Sequence, residues 1–178
     1  MLRALALAGK ARRTADAAER DALLAEVDEL VAWLSARAID AAVNLRHLLH
    51  LLEAERAWAT GDFYEAARTF DEAQRESLTR VRPWHRALIL ERAARFYLAH
   101  GLQDVGHRLL AAARREYLDW GATGKVSQLD WAYPTLRDES AAAAPAARSP
   151  TAPAASSTVA AGTIDLLGVV AASQALSS

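Results

Sequence analysis

The octapeptide WGATGKVS (120–127) contains a glycine-lysine pair of the kind that can cradle phosphate. A phosphate loop needs G-x-x-x-x-G-K-[ST] after a strand and at the opening of a helix, so that backbone amides surround the phosphates and the hydroxyl meets magnesium. With Gly124-Lys125 as the pair, the first glycine position holds Asp119 and the hydroxyl position holds Val126. The preceding LLAAARREYLDW also reads as a helix, not a strand. The plainer reading is a turn between two helices, with Gly121 as the stop, Thr123 as an N-cap and Lys125 in solvent.

His47, His50 and Glu53 follow one another at i, i+3 and i+6 and could face one metal ion. They lie on a leucine-crowded helix with no second cluster to complete four ligands, so packed or partly exposed histidines are the expected reading. His85, His100 and His107 are scattered, and no Ser/His/Asp arrangement stands out. The carboxylate pairs Glu53/Glu55 and Asp71/Glu72 read as ordinary helical surface. Glu65, Arg68 and Glu72, and likewise Glu91 with Arg92 and Arg95, read as pairing along a single helix face. The five tryptophans (Trp33, Trp58, Trp84, Trp120, Trp131) are expected in packing between helices, with Trp58, Trp84 and Trp120 near helix ends. No catalytic, cofactor-binding or metal-binding residue is assigned, no cofactor is expected, and the chain is expected not to be an enzyme.

The elements that must position these residues follow from composition and periodicity. The 178 residues are 52% hydrophobic and 24% charged, with a net charge of -1 and no cysteine. That balance gives no reason to expect nucleic acid, and the absence of cysteine excludes disulfides and thiolate chemistry. The opening MLRALALAGKARR is too short in its apolar part, and too broken by Arg3, for a secretory signal. No stretch approaches the roughly 20 apolar residues of a spanning helix. A soluble, cytoplasmic protein without membrane insertion is expected.

Alanine, leucine, arginine and glutamate dominate to about residue 139, which predicts helices throughout. The first starts near Thr14 or Asp16 and shows Leu23, Leu24, Val27, Leu30, Val31 and Leu34 on one face. A second, about 40–59, is apolar nearly all round and should be central. Helices are predicted over about 63–79, over 83–100 with Pro83 at the opening, over 103–120 and over 123–132. After Asp138 the chain turns to alanine, proline and serine, which predicts a flexible, disordered linker over 137–162. The last stretch, TIDLLGVVAASQALSS (163–178), is again apolar at helical spacing and predicts an amphipathic helix whose apolar face would suit dimerisation.

A repeat lies inside the helices. Gly61 is followed by Ala66, Phe70 and Ala73, and Gly101 by Gly106, Leu110 and Ala113, at the same offsets of five, nine and twelve. Glycine permits a tight reversal, small residues let helices approach, and the large one fills the groove between pairs. This is the second-helix signature of a tetratricopeptide (TPR)-like hairpin. The two glycines lie 40 positions apart, against about 34 for the regular repeat. The expected fold is therefore all-α: relaxed TPR-like antiparallel hairpins forming an α-solenoid fragment over 1–136. A generic antiparallel helical bundle predicts the same helices.

RPWHRALILERAARFYLAHGL (82–102) and AARREYLDWGATGKVSQLDWAYPTL (112–136) resemble the TPR-like helical region of very large bacterial signalling proteins. In those, serine/threonine-kinase-like and AAA-type ATPase modules precede the helices, and a GAF domain with an output module such as a histidine kinase follows. The residues that carry the resemblance are Tyr117, Trp120-Gly121-Ala122, Lys125-Val126, Leu129 and Tyr133-Pro134, and 163–178 is similar to the lead-in helix of the GAF domain. The resemblance implies a non-catalytic interaction and regulatory segment, relaying between ATPase and GAF/kinase modules through protein partners. No kinase, Walker, GAF or phosphoacceptor signature is present, so no catalytic residue carries over. The other reading is a free-standing TPR-like adaptor that binds a partner peptide or helix.

Overall fold

The computed structural model describes residues 1–78 and 82–136. The expected linker (137–162) and C-terminal helix (163–178) lie outside the described residues. Among those described there are seven α-helices and no strand: α1 (Leu2–Ala11), α2 (Ala17–Asp40), α3 (Ala42–Thr60), α4 (Phe63–Ser77), α5 (Pro83–Ala99), α6 (Gln103–Asp119) and α7 (Thr123–Ala132). The chain is all-α over this range.

Three of the connections are the same turn. Gly61, Gly101 and Gly121 carry φ of 83°, 78° and 82°, the left-handed region that a Cβ disfavours. At each, the glycine N–H donates to the carbonyl three residues back and the next N–H to the carbonyl five back: Gly61 to Trp58 and Asp62 to Ala57, Gly101 to Leu98 and Leu102 to Tyr97, Gly121 to Leu118 and Ala122 to Tyr117. This is the Schellman arrangement, which satisfies the last orphan carbonyls and reverses the chain. Asp62 then caps α4 by accepting from the Glu65 N–H at 3.0 Å, as Asp16 caps α2 by accepting from Ala18 and Glu19. At α7 the expectation fails. Thr123 is the first helical residue, and the cap position is Ala122, with no side-chain hydrogen bond.

α1 has no counterpart among the predicted helices, the first of which starts near Thr14 or Asp16. α1 buries mainly alanines (Ala4, Ala8, Ala11) with Leu5 against α2 and α3, so it has too few large apolar residues to show a stripe. α2 and α3 are separated by Ala41 alone, at φ -126° and ψ 40°. They run antiparallel, because Leu23 and Val27 share a cluster with Ala59 while Asp28 pairs with Arg56. The near-continuous apolar girth of α3 is explained by its neighbours α1, α2, α4 and α5.

The aromatic core joins the α3–α4 hairpin to α5. Phe96 lies 5.6 Å from Trp58, 5.2 Å from Phe63 and 5.3 Å from Phe70 between ring centroids. A second core links α5, α6 and α7 through Leu90, Ala94, Leu110, Ala113, Tyr117, Val126, Leu129 and Leu136. The repeat-motif residues fall in these cores: Ala66, Phe70 and Ala73 in the first, Leu110 and Ala113 in the second. Gly106 sits where α6 meets α5, and a Cβ there would come within 2.5 Å of Leu98 Cγ.

The tryptophans divide. Trp58 packs as expected between helices, but Trp33, Trp120 and Trp131 stand 54%, 51% and 86% exposed. Each is half exposed or more, so the inter-helix reading does not hold for these three.

Candidate functional site

Helix α3 is apolar on all sides but for a few charges, and one of these, Glu55, is 1% exposed. A carboxylate so placed needs partners for its lone pairs. Arg12, just after α1, donates from Nη1 to Oε2 at 2.7 Å, and Arg92 of α5 donates from Nε to Oε1 at 2.5 Å and from Nη2 to Oε2 at 2.7 Å. The Arg12 guanidinium also lies 3.6 Å from the Trp58 ring centroid. Burial disfavours the Arg12 cation and leaves its pKa lowered. For Arg92, burial acts the same way, but the hydrogen bonds and charge of Glu55 overcome it and its pKa is raised.

Glu91, next to Arg92 on α5, is 2% exposed and gathers a second set. Its Oε1 accepts from Arg95 at 2.6 Å and from Lys125 Nζ of α7 at 2.9 Å, and its Oε2 accepts from the Tyr117 hydroxyl of α6 at 2.8 Å. Burial alone would raise the Glu91 pKa; the Lys125 hydrogen bond and the Arg95 and Lys125 charges reverse this and lower it. Burial, then the Glu91 charge, push the Tyr117 hydroxyl well above its ordinary value. Two buried carboxylates thus gather partners from other elements: Glu55 of α3 joins Arg12, just after α1, and Arg92 of α5, while Glu91 of α5 joins Tyr117 of α6 and Lys125 of α7.

Three sequence expectations are overturned here. Glu55 is a buried anchor, not a surface carboxylate. Arg92 turns across to α3 instead of pairing along its own helix. Lys125 is half-buried on Glu91, with a further bond to Gln128 Oε1 at 2.9 Å, and does not stand in solvent. The signal for the first was present, since Glu55 lies one turn from each of Leu51, Leu52, Trp58 and Ala59 in an apolar stripe. The other two depend on residues 37 and 34 positions away.

The histidines regroup as well. His47 Nε2 lies 2.7 Å from His85 Nδ1, both rings buried. A single hydrogen bridges the two nitrogens. Burial, and then the Arg82 charge, lower the His85 pKa. His50 instead faces Glu53 at 3.1 Å and Glu72 at 3.8 Å. Among the described residues there is no cluster able to hold a metal ion.

Of the residues that carry the family resemblance, Tyr117 and Lys125 meet at Glu91, and Gly121 makes the α6–α7 turn. Tyr133 packs half-buried on the second core, while Trp120 and Pro134 are exposed.

Depressions open on the surface of the described residues. One, about 780 Å³, lies along α3 and α4 and is lined by Arg46, His50, Glu53, Arg68, Glu72, Arg75 and Glu76. Its charges are engaged with one another or with neighbours, as in Arg68 with Glu65 and Glu72 and Arg75 with Asp71. Another, about 360 Å³, is mainly apolar and is lined by Met1, Glu29, Leu30, Trp33, Leu34 and Leu52. No described helix is long and apolar enough to cross a membrane.

Comparison with protein-family models, curated proteins and solved structures finds no match.

Proposed function

We propose that the chain is a non-catalytic helical interaction and regulatory segment of a bacterial multidomain signalling protein, relaying between an ATPase module and a GAF/kinase module in the cytoplasm. In this reading α3–α4 and α5–α6 are two relaxed TPR-like hairpins, and α7 closes the array. The observation that carries it is the pair of buried carboxylates, Glu55 and Glu91. Glu55 fastens the residue after α1 and α5 to α3, and Glu91 fastens α6 and α7 to α5, by bonds that need particular partners. Lys125, the lysine of the phosphate-loop-like turn, is engaged in this fastening. Support also comes from the resemblance of 82–102 and 112–136 to such helical regions.

The test is the DNA on either side of the coding region. An ATPase frame upstream or a GAF frame downstream is expected. Complete, unrelated genes on both sides would overturn the relay reading and leave the second one, a free-standing adaptor. That second reading has its own observation: an open apolar groove beside the half-exposed Trp33, of the size that accepts side chains from a partner helix.

A further inference from the structure

Polar side chains join α3 to α5 at two levels. His47 meets His85, and further along both helices Glu55 meets Arg92. Because the two meetings advance together, the helices run parallel, and the levels lie about two turns, or ~11 Å, apart. Between them the packing is apolar, with Leu48, Leu51, Leu52 and Ile89 in one buried cluster. Beyond Arg92, Phe96 is set among Trp58, Phe63 and Phe70. The middle and end of α5 are thus anchored by an ion pair and by rings. The polar contact of its first turn with α3 is the histidine pair, against which Trp84 packs with ring centroids 3.8 Å apart.

The two polar contacts differ in what a proton does to them. Glu55 with Arg92 joins opposite charges. His47 Nε2 and His85 Nδ1, 2.7 Å apart, share one hydrogen, so one of the facing nitrogens must stay bare. A first proton taken up by the pair puts a cation in a buried place. A second sets N–H against N–H and leaves no arrangement that keeps the bond. The charged groups nearby give little relief. Arg82, just ahead of α5, is positive and acts on His85 against its protonation. Arg46 of α3 lies near Glu76 of α4, His50 of α3 near Glu53 and Glu72, and Arg86 of α5 near Glu116 of α6. Among the described residues no carboxylate pairs with His85.

We propose that the His47–His85 contact is a proton-released clasp: as pH falls below neutrality the start of α5 comes away from α3, while Glu55 with Arg92 and the rings around Phe96 hold the rest of α5 in place. The opening is local, and it makes the freedom of one helix start depend on pH without unfolding the protein. It goes beyond a loss of overall stability, because it places the loss in one turn and leaves the second fastening closed.

Hydrogen exchange of the full chain, followed by mass spectrometry and corrected for the pH dependence of intrinsic exchange, reads the opening. Amides 87–90 are expected to lose protection about tenfold between pH 7.5 and pH 5.5, as for one histidine that takes up its proton near pH 6.5 only when the clasp is open. Amides 91–98 and 107–118 should keep theirs. The double variant His47→Gln, His85→Gln should remove the pH dependence, and His50→Gln, whose ring faces Glu53 and Glu72, should leave it as it is. Flat protection of 87–90 across this range would overturn the proposal. So would an equal loss at 91–98 and 107–118, which is unfolding of the whole, or a pH dependence that survives in the double variant. If circular dichroism shows that the double variant does not fold, the imidazole nitrogen NMR shifts of the natural chain decide. Protonation of the His47–His85 pair in step with the loss of protection is expected; rings that stay neutral while protection is lost would overturn it. The flanking genes bear on none of these outcomes, so the clasp and the relay stand or fall separately.

Discussion

Glu55 and Arg92, 37 positions apart, meet through two hydrogen bonds of 2.5 and 2.7 Å in the interior between α3 and α5. The pair fixes one point of contact between the two helices. Its cost is desolvation of both charges, which the paired geometry offsets only while both partners stay.

Removing one partner should therefore hurt more than removing the set. Glu55→Gln is expected to destabilise by about 3–5 kcal/mol, since Arg12 and Arg92 are left as buried cations. The combined Arg12→Met, Glu55→Leu, Arg92→Met chain, which removes all three charges, should recover a large part of that. Urea unfolding at pH 7 measures both; a single substitution costing less than about 1 kcal/mol would contradict the buried-anchor assignment.

Glu91 predicts an acid limit. Its folded pKa lies below the ordinary carboxylate value of 4.5, so between the two values the unfolded chain binds more protons. The stabilisation is fully present above about pH 4.5 and is lost as pH falls through the lowered folded pKa. Burial pushes the carboxyl the other way, and Lys125→Met removes the strongest of the contacts that outweigh it. Its stability should be lower at pH 7 and should change less between pH 5 and pH 3 than that of the natural chain, as read from thermal melts.

A separate loss is expected nearer neutrality. The His85 pKa is lowered from 6.5, so the unfolded chain takes up a proton there first. Stability is full above about pH 6.5 and falls as pH drops toward the lowered value. Replacing His85 by Gln should flatten the melting temperature between pH 7.5 and pH 5.5. An unchanged pH profile would show that the pair does not titrate on folding.

Two glycines make opposite predictions. Gly106→Ala brings a methyl within 2.5–2.6 Å of Leu98 and is expected to cost about 1–3 kcal/mol through overpacking. Gly124 lies in α7 with nothing within 4 Å of an added Cβ, and Gly124→Ala should stabilise by about 0.5–1 kcal/mol. Chemical denaturation of the two variants side by side gives the signs.

Helix punctuation was legible because it is local. Gly61, Gly101 and Gly121 mark stops through their own φ, and Pro83 marks a start by its missing N–H. The identity of what faces what was not, because it depends on partners far away in sequence. Glu91 beside Arg95 looks like a surface pair until Tyr117 and Lys125 close over it. His47 and His85, 38 positions apart, show no relation until α5 is set against α3. α1 escaped for another reason: alanines that seat a helix closely have no visible stripe. Trp33, Trp120 and Trp131 misled in the opposite sense, since a large ring invites an expectation of burial that their exposed positions on α2, at the end of α6 and on α7 do not supply.

Leu136, the last described residue, is buried against the core of α5, α6 and α7. The chain therefore leaves the helices from a clamped point, not a frayed end. A pull on whatever is attached after it must first draw that leucine out of the core. α7 is fixed near its start by Lys125 on Glu91, and the segment just after it by Leu136 in the core, like a latch with two catches.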